Sequence, residues 1–412
     1  MLLGLIKEII ANNKQRYSFI NNGLKSKIMS KKQKISQTLS SMLTEKSICY
    51  TTDGKVVTPC ITEEFDMSKQ VWHIEALVKE LLQSPETLFR VEAGKPITTK
   101  YLVAKPLGKQ IINVLKFDFD NMIAHFPFHE FNPYVELFHR NMKFNQLDEK
   151  VAHRTPADLH ELEAELNAFV AAIRHDAQSP SFKKTLGEFR RLSNKNHASF
   201  VAYINALFDA YARLVILRID LGYRKATDWP NGIHGSIRYA DVKGHQKELL
   251  KYLRTKLPNK PMVGYAWCLE YGLDKGWHQH LMVFLDGSKV REDITIAQII
   301  GEAWNGPITE GQGLFYNCNA NKESYRSCGI GTINHYDTAA REGLEKAAAY
   351  MTKPDYYLAL VLPDGGRAFG KGVAPKPDSH KGGRPRKTPL AHGSCEISLA
   401  CEVPPVLVPR VF

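Results

Sequence analysis

The chain has 412 residues and is 43% hydrophobic, enough for two or three domains with packed cores, and this composition excludes a largely disordered protein. Its formal net charge is +12 at pH 7. This excess of positive charge predicts a polyanionic partner, nucleic acid before an anionic membrane, although a solvated basic surface without a partner would have the same composition.

Cysteine usage and the first residues bear on the cellular compartment. The chain has seven cysteines, an odd number, and none form a C-x-x-C pair. This argues against a disulfide framework and a zinc finger, and it favours a reducing cytoplasm. The opening apolar patch is interrupted by Lys7 and Glu8, so we expect neither a signal peptide nor a membrane-spanning helix.

The first half of the chain is predicted to be mainly helical. Residues 1–60 form a basic N-terminal segment, and residues 61–204 form a mainly helical accessory domain. The clearest helix follows Pro156, with Asp158 as a predicted N-cap and Glu161 completing a capping box. Its apolar residues fall on one face at a spacing of three to four: Leu159, Leu162, Leu166, Phe169 and Val170.

The pattern changes at Arg213. RLVILRIDLGY predicts a strand, residues 241–256 a basic amphipathic helix, and MVGYAWCLEYG and WHQHLMVFLDG a hairpin joined by GLDKG. Helices are predicted at about 294–304 and 339–353, with the apolar stretch GLFYN between them. This order predicts an α+β domain over residues 205–375, with a central antiparallel sheet flanked by helices, and a basic disordered tail over 376–412.

Two histidines on the predicted hairpin suggest a metal site. His278 and His280 are two residues apart on one strand, so their side chains point to the same face. A hairpin centred near Asp274 places Glu270 almost opposite His278. Two imidazoles and a carboxylate leave open coordination positions for water or a phosphate oxygen. Two surface histidines at a strand edge would give the same pattern.

A tyrosine near the end of the last predicted helix could attack a phosphate. In EKAAAYMTKPDYY, Tyr350 and Lys353 are three residues apart and share a helix face, and Pro354 is expected to end the helix at Lys353. A phenol, a nearby cation and a metal ion are the parts that phosphodiester cleavage by a tyrosine requires. A tyrosine packed into the core by an alanine-rich helix is the alternative interpretation.

Taken together, these motifs resemble those of the HUH endonuclease superfamily. More narrowly, they are similar to the filamentous-phage (inovirus) type of rolling-circle replication initiator and its prophage relatives. RLVILRIDLGY resembles that family's first motif strand, AWCLEYG with GWHQHLMVFLDG its carboxylate and histidine hairpin, AAAYMTK its tyrosine motif, and GGRAFGKG the stretch that follows. The resemblance covers roughly residues 205–375.

The resemblance implies a role for each matching residue. His278, His280 and Glu270 would bind a divalent metal, Mg²⁺ or Mn²⁺, and Tyr350 would become linked to a 5′-phosphate with the help of Lys353. Two more basic residues, Arg367 and Lys371, would contact DNA.

Three positions depart from the family pattern or leave their role open. Gln279 stands where the family usually has an apolar residue. Some relatives have a second catalytic tyrosine four residues after the lysine on the same helix. Tyr357 has that spacing, but Pro354 lies between them and puts this role in doubt. Asp220 shares a strand face with Arg218 and is either a further site residue or, as we favour, a solvated or ion-paired group.

The tail carries a second, weaker DNA signal. HKGGRPRK, with Arg384 and Arg386 around a proline, resembles an AT-hook, which places arginines in a narrow A·T minor groove. A generic basic linker is the alternative, and it would still add salt-dependent affinity for phosphate.

The expected function is therefore a metal-dependent DNA nickase in a bacterial cytoplasm. It would act on single-stranded or extruded origin DNA together with a host polymerase and helicase, without a membrane or a small-molecule cofactor. A single-strand transposase or a relaxase of the same superfamily is an alternative, although relaxases usually carry three clustered histidines. A non-catalytic DNA-binding regulator and a zinc hydrolase are the others, and the chain has no H-E-x-x-H helix to support the latter.

Overall fold

The computed structural model describes residues 49–53, 56–60, 63–95, 99–153, 159–224, 237–257, 261–273, 275–325, 327–352 and 358–376. These residues all fall within one compact unit of the chain. They combine helices with antiparallel sheets, as the sequence predicts for a mixed α and β fold.

The N-terminal part of the described chain is mainly helical. It begins with two antiparallel strand pairs, β1 (Cys49–Asp53) with β2 (Val56–Cys60) and β3 (Phe89–Ala93) with β4 (Lys100–Ala104). Helix α1 (Glu63–Leu81) lies between the two pairs in sequence. The remaining elements follow in order: α2 (Pro106–Leu115), α3 (Phe119–His125), β5 (His129–Phe131), α4 (Pro133–Asn145), α5 (Leu147–His153), α6 (Leu159–Asp176) and α7 (Pro180–Ala210).

Helix α6 confirms the predicted apolar face. Its residues Leu159, Leu162, Leu166, Phe169 and Val170 are all buried. The predicted N-cap, Asp158, lies outside the described residues. Helix α7 begins at Pro180 with the Ser179 hydroxyl accepting from the Phe182 amide, and it runs through the predicted boundary between residues 204 and 205.

The C-terminal part is built on a six-stranded sheet. Its elements in chain order are β6 (Arg213–Tyr223), α8 (Tyr239–Thr255), β7 (Met262–Gly272), β8 (Gly276–Asp286), α9 (Asp293–Ala303), β9 (Gly313–Asn317), β10 (Gly331–Asn334), α10 (Thr338–Thr352), β11 (Leu358–Leu360) and β12 (Phe369–Lys371). The main path of the sheet is β10-β6-β8-β7-β12, and β9 pairs with the other end of β6. All pairings in this sheet are antiparallel, as predicted.

Helices cover both faces of this sheet. Successive side chains along its strands point to opposite faces, and each face carries a set of buried apolar side chains. One set, including Leu217, Leu281 and Val283, packs with residues of α8 and α9. The other set, including Ile216, Met282 and Phe284, packs with residues of α7 and α10. Strand β8 is central and carries His278 and His280, which therefore lie on the face covered by α7 and α10.

Candidate metal and tyrosine site

The β7–β8 hairpin brings the predicted carboxylate and histidines together. Gly276 starts β8 with φ of +66°, a conformation that glycine adopts without strain, and the turn sets the register. Glu270 pairs with His278, as the hairpin pattern predicts, and Cys268 pairs with His280. Because alternate residues share a face, Glu270, His278 and His280 all point to the same side.

The three side chains form a compact group of metal-ligating atoms. Glu270 Oε2 lies 3.1 Å from His278 Nε2 and 3.3 Å from His280 Nε2. One ligand atom from each of the three residues lies within 4.8 Å of the other two. Ligands bonded at about 2.1 Å to one ion at right angles are about 3.0 Å apart, so this spacing suits a common ion. The predicted metal-binding group therefore exists in the structure, while its metal is not identified.

The outer nitrogens of the two imidazoles fix how the inner ones face the carboxylate. His278 Nδ1 donates to the Gly276 carbonyl at 3.2 Å, and His280 Nδ1 donates to Asp220 Oδ1 at 2.6 Å. Neither acceptor can donate in return, so each neutral ring presents the lone pair of Nε2 to Glu270. Three acceptors facing one another require a cation or a proton between them, so these residues fit a divalent metal.

Exposure leaves room for a substrate atom. The side chains of His278 and Glu270 are 17% and 14% exposed, whereas His280 is 8% exposed. The group is therefore largely buried but still accessible to solvent. Three protein ligands and an open side are typical of catalytic metal sites, whereas structural zinc sites are closed by four protein ligands.

Asp220 belongs to this group through its contact with His280. It lies on β6, where it pairs with His280 across the sheet, and it also accepts from Arg218 Nε at 3.4 Å. Burial raises the pKa of the Asp220 carboxyl, but Arg218 and His280 outweigh burial and hold that pKa well below its usual range. Asp220 is therefore ion-paired, as we favoured, but one of its two partners is a candidate metal ligand, so it is also a residue of the site.

Replacing Asp220 by asparagine should weaken metal binding. The amide can no longer hold His280 through a charged hydrogen bond, and such outer contacts contribute about 10- to 100-fold to metal affinity. We expect the Asp220→Asn variant to bind Mn²⁺ about 10- to 100-fold more weakly in calorimetric titration. Asp209→Asn, on the described helix α7, is a control that should titrate like wild type. Unchanged Mn²⁺ affinity in Asp220→Asn would contradict the role given to this carboxylate.

Metal affinity should also fall as the pH is lowered. Burial lowers the pKa of His278. Burial also acts on His280, but the carboxylates of Asp220 and Glu270 outweigh it and raise that pKa above its ordinary value. As the pH falls, His280 is therefore protonated before His278, and its protonation begins above the ordinary histidine pKa of about 6.5. This proton competes with the metal ion for the imidazole. We expect a loss of about tenfold in Mn²⁺ affinity per pH unit there, and affinity that is constant from pH 8 to 5.5 would contradict it.

Tyr350 lies beside the metal-ligating group. It is half-buried in the last turn of α10, the position predicted for it. Its ring is edge-on to the His280 ring with the centroids 5.8 Å apart, and the Arg218 guanidinium carbon lies 4.7 Å from the centre of the Tyr350 ring. The structure thus brings together Tyr350, His280, Glu270 and His278. Lys353, the other predicted catalytic residue, lies outside the described residues, as do Pro354 and Tyr357.

The end of α10 is tied to the long helix α7. The Ser193 hydroxyl donates to the Thr352 carbonyl at 3.0 Å, and His197 Nδ1 lies 3.2 Å from the Thr352 hydroxyl oxygen. All three residues are buried. Because Thr352 is two residues after Tyr350, these contacts fix the turn that carries the phenol.

The chain segment before α4 packs against the β7–β8 hairpin on the sheet face opposite the metal-ligating group. Strand β5 pairs with β11, and Phe128 packs against Tyr271 and Trp277 on the metal-ligand hairpin, with ring centroids 4.8 and 5.3 Å apart. Sequence patterns gave no indication of these contacts, since they join residues more than 140 positions apart. Part of the predicted accessory domain therefore supports the hairpin directly.

The predicted DNA-contacting residues are only partly near this centre. Arg367 is exposed and precedes Ala368, whose carbonyl accepts from the Leu269 amide, so it lies at the sheet edge level with Glu270. Lys371 pairs with Ala266, farther along β7, and its ammonium stands 4.8 Å from the centre of the Tyr203 ring. Arg384 and Arg386 lie outside the described residues.

Gln279, the departure from the apolar pattern between the histidines, points to the opposite face. It is buried and its side-chain oxygen accepts from Gln246 on α8 at 3.3 Å. It therefore leaves the metal-ligating face unchanged.

Comparison with known proteins gives one family match. Residues 183–372 match the YagK/YfjJ C-terminal domain. The matched region begins within α7 and includes the whole six-stranded sheet, α10 and all four residues of the site. Neither the curated proteins nor the solved structures contain a significant match to the chain. In the described part of the chain, no helix is long and apolar enough to cross a bilayer.

Proposed function

We propose that the protein is a metal-dependent DNA-nicking enzyme of the HUH type, similar to inovirus replication initiators. The observation that carries this proposal is the position of Tyr350, whose ring lies against His280 of a two-histidine, one-carboxylate group. A zinc hydrolase would need the same ligands but would leave this tyrosine without a role. The net charge of +12 is consistent with a nucleic-acid substrate.

The proposed reaction transfers a DNA phosphate to Tyr350. A bound Mg²⁺ or Mn²⁺ would polarise the scissile phosphate and offset its charge. The phenol oxygen of Tyr350 attacks phosphorus and loses its proton to water, since the side chain is half-exposed. The new bond joins tyrosine to the 5′-phosphate and the bond to the 3′-oxygen breaks. That oxygen takes a proton from water and leaves as a 3′-hydroxyl. Attack by a 3′-hydroxyl on the phosphotyrosine reverses these steps and rejoins the strand.

The remaining residues hold the reacting groups in place. Asp220 and the Gly276 carbonyl orient the two imidazoles, and Ser193 and His197 hold the end of α10. Such orientation matters because displacements of about 1 Å can cost 10²-fold in rate. In this proposal the free 3′-hydroxyl primes a host polymerase in the bacterial cytoplasm. Lys353 assists Tyr350, and Arg367, Lys371, Arg384 and Arg386 contact DNA.

A denaturing gel tests the proposed function. Single-stranded oligonucleotides from the replicon that encodes the protein, labelled on the 3′ side of each candidate nick, are incubated with protein and Mn²⁺. We expect a labelled band at the size of the protein that survives denaturant and disappears after protease treatment. DNA binding without such a band over the whole set would favour a non-catalytic regulator.

A further inference from the structure

Arg218 lies directly beneath the tyrosine ring of the candidate site. It is on β6, two residues before Asp220 and on the same sheet face, and it pairs with Met282 of β8. Its guanidinium carbon is 4.7 Å from the centre of the Tyr350 ring, within the range of a cation–π contact.

A chain of contacts runs from Arg218 to the metal-ligating group. Arg218 Nε donates to Asp220 Oδ1 at 3.4 Å, and the same oxygen accepts from His280 Nδ1 at 2.6 Å. The guanidinium therefore touches the phenol ring on one side and, through one carboxylate, the metal-ligating imidazole on the other. Tyr350 is connected to His280 both directly and through the Arg218–Asp220 pair.

Arg218 is largely buried beside the site. Its side chain is only 13% exposed, and its backbone N–H donates to Asn319 Oδ1 at 2.9 Å. Two neutral groups line the site beside it, since burial raises the pKa of the Cys318 thiol to about 12 and raises that of the Tyr325 phenol above its ordinary value. Buried charge is costly, and apolar residues occupy neighbouring positions on this face, such as Ile216 and Met282. An aliphatic residue at 218 would pack there at lower cost.

We propose that Arg218 is the positioning residue for Tyr350, its guanidinium plane supporting the phenol ring and linking it through Asp220 to His280. This inference rests on the proposed function of the same site. A lysine cannot replace arginine in this role, because its ammonium is a point charge without a plane on which a ring can stack. If Arg218 served only as the counter-ion of Asp220, lysine would suffice.

The test compares Arg218→Lys with a matched control. Arg341→Lys replaces a second arginine that lies over an aromatic ring, with its guanidinium carbon 4.5 Å from the centre of the Phe208 ring, at the opposite end of α10. We expect Arg218→Lys to form the covalent DNA adduct about 100-fold more slowly at saturating DNA, with its affinities for Mn²⁺ and DNA changed less than about threefold. Arg341→Lys should react at the wild-type rate.

A second readout does not depend on nicking. Fluorine NMR of protein labelled with 3-fluorotyrosine gives one resonance per tyrosine environment, and the resonance missing from Tyr350→Phe is that of Tyr350. We expect this resonance to move in Arg218→Lys and to stay in place in Arg341→Lys.

The outcomes separate this inference from the proposed function. A wild-type adduct rate in Arg218→Lys, an equal loss in Arg341→Lys, or an unmoved Tyr350 resonance would overturn the role of Arg218 alone. If the wild-type protein forms no adduct, the proposed function fails, while a resonance that still moves shows that Arg218 sets the position of the ring.

Discussion

Replacing Tyr350 by phenylalanine should abolish covalent adduct formation and nicking while leaving DNA binding nearly unchanged. The substitution removes only the hydroxyl oxygen that would attack phosphorus, and it keeps the ring that packs against His280 and Arg218. Loss of a nucleophile typically lowers the rate by at least about 10⁴-fold. The measurement is the rate of labelled adduct formation on a denaturing gel, with DNA affinity determined in parallel by fluorescence anisotropy.

The matched control for this variant is Tyr336→Phe. Tyr336 is 65% exposed and precedes α10, so its hydroxyl has no part in the proposed reaction and the variant should nick at the wild-type rate. Cleavage retained in Tyr350→Phe would contradict the assignment of the nucleophile. In that case Tyr356 and Tyr357 are the next tyrosines to replace.

Replacing His278 by alanine should remove both metal binding and metal-dependent activity. The variant leaves one imidazole and Glu270, and it deletes the ring whose Nε2 lies 3.1 Å from the carboxylate. Two remaining protein ligands of an open site bind Mn²⁺ too weakly to compete with water and buffer. We expect no heat of Mn²⁺ binding in calorimetry and no increase in nicking rate when Mn²⁺ is added.

An exposed histidine distant in sequence provides the control. The side chain of His160, on α6, is 63% exposed, and His160→Ala should bind Mn²⁺ and nick DNA as the wild type does. Wild-type Mn²⁺ affinity in His278→Ala would show that the metal binds elsewhere. Such a result would remove the basis for the metal site.

Local patterns predicted the parts of the site that depend on neighbouring residues. The hairpin placed Glu270 opposite His278 because alternation in a strand and the length of a turn fix register over a few residues. The helix that carries Tyr350 was likewise predicted from its composition, and it ends at Thr352 in the described chain.

Contacts between distant segments could not be predicted in the same way. Asp220 meets His280 because β6 pairs with β8 and not with β7, the next strand along the chain, and nothing in either strand's own pattern specifies that choice. The position of Tyr350 against His280 followed from the resemblance alone, since 70 residues separate them. The cation–π contact of Arg218 with Tyr350 was missed for the same reason.

The short strands of the N-terminal half were missed for a different reason. Strands β1 to β5 have three to five residues each and mix charged residues, threonine and proline with apolar ones, so no period emerges. Strand β5 is defined by its pairing with β11 and by the packing of Phe128 on the metal-ligand hairpin. The division of the chain at residues 60, 204 and 375 stays a prediction.

The central claim is that a divalent ion held by His278, His280 and Glu270 lies within a few ångströms of the Tyr350 phenol. Paramagnetic broadening measures this distance directly, using protein labelled with 3-fluorotyrosine and titrated with Mn²⁺, and with Mg²⁺ as the diamagnetic reference. We predict that one equivalent of Mn²⁺ broadens the Tyr350 fluorine resonance beyond detection and that the effect is absent in His278→Ala. A resonance that stays sharp in wild-type protein saturated with Mn²⁺ would contradict the claim.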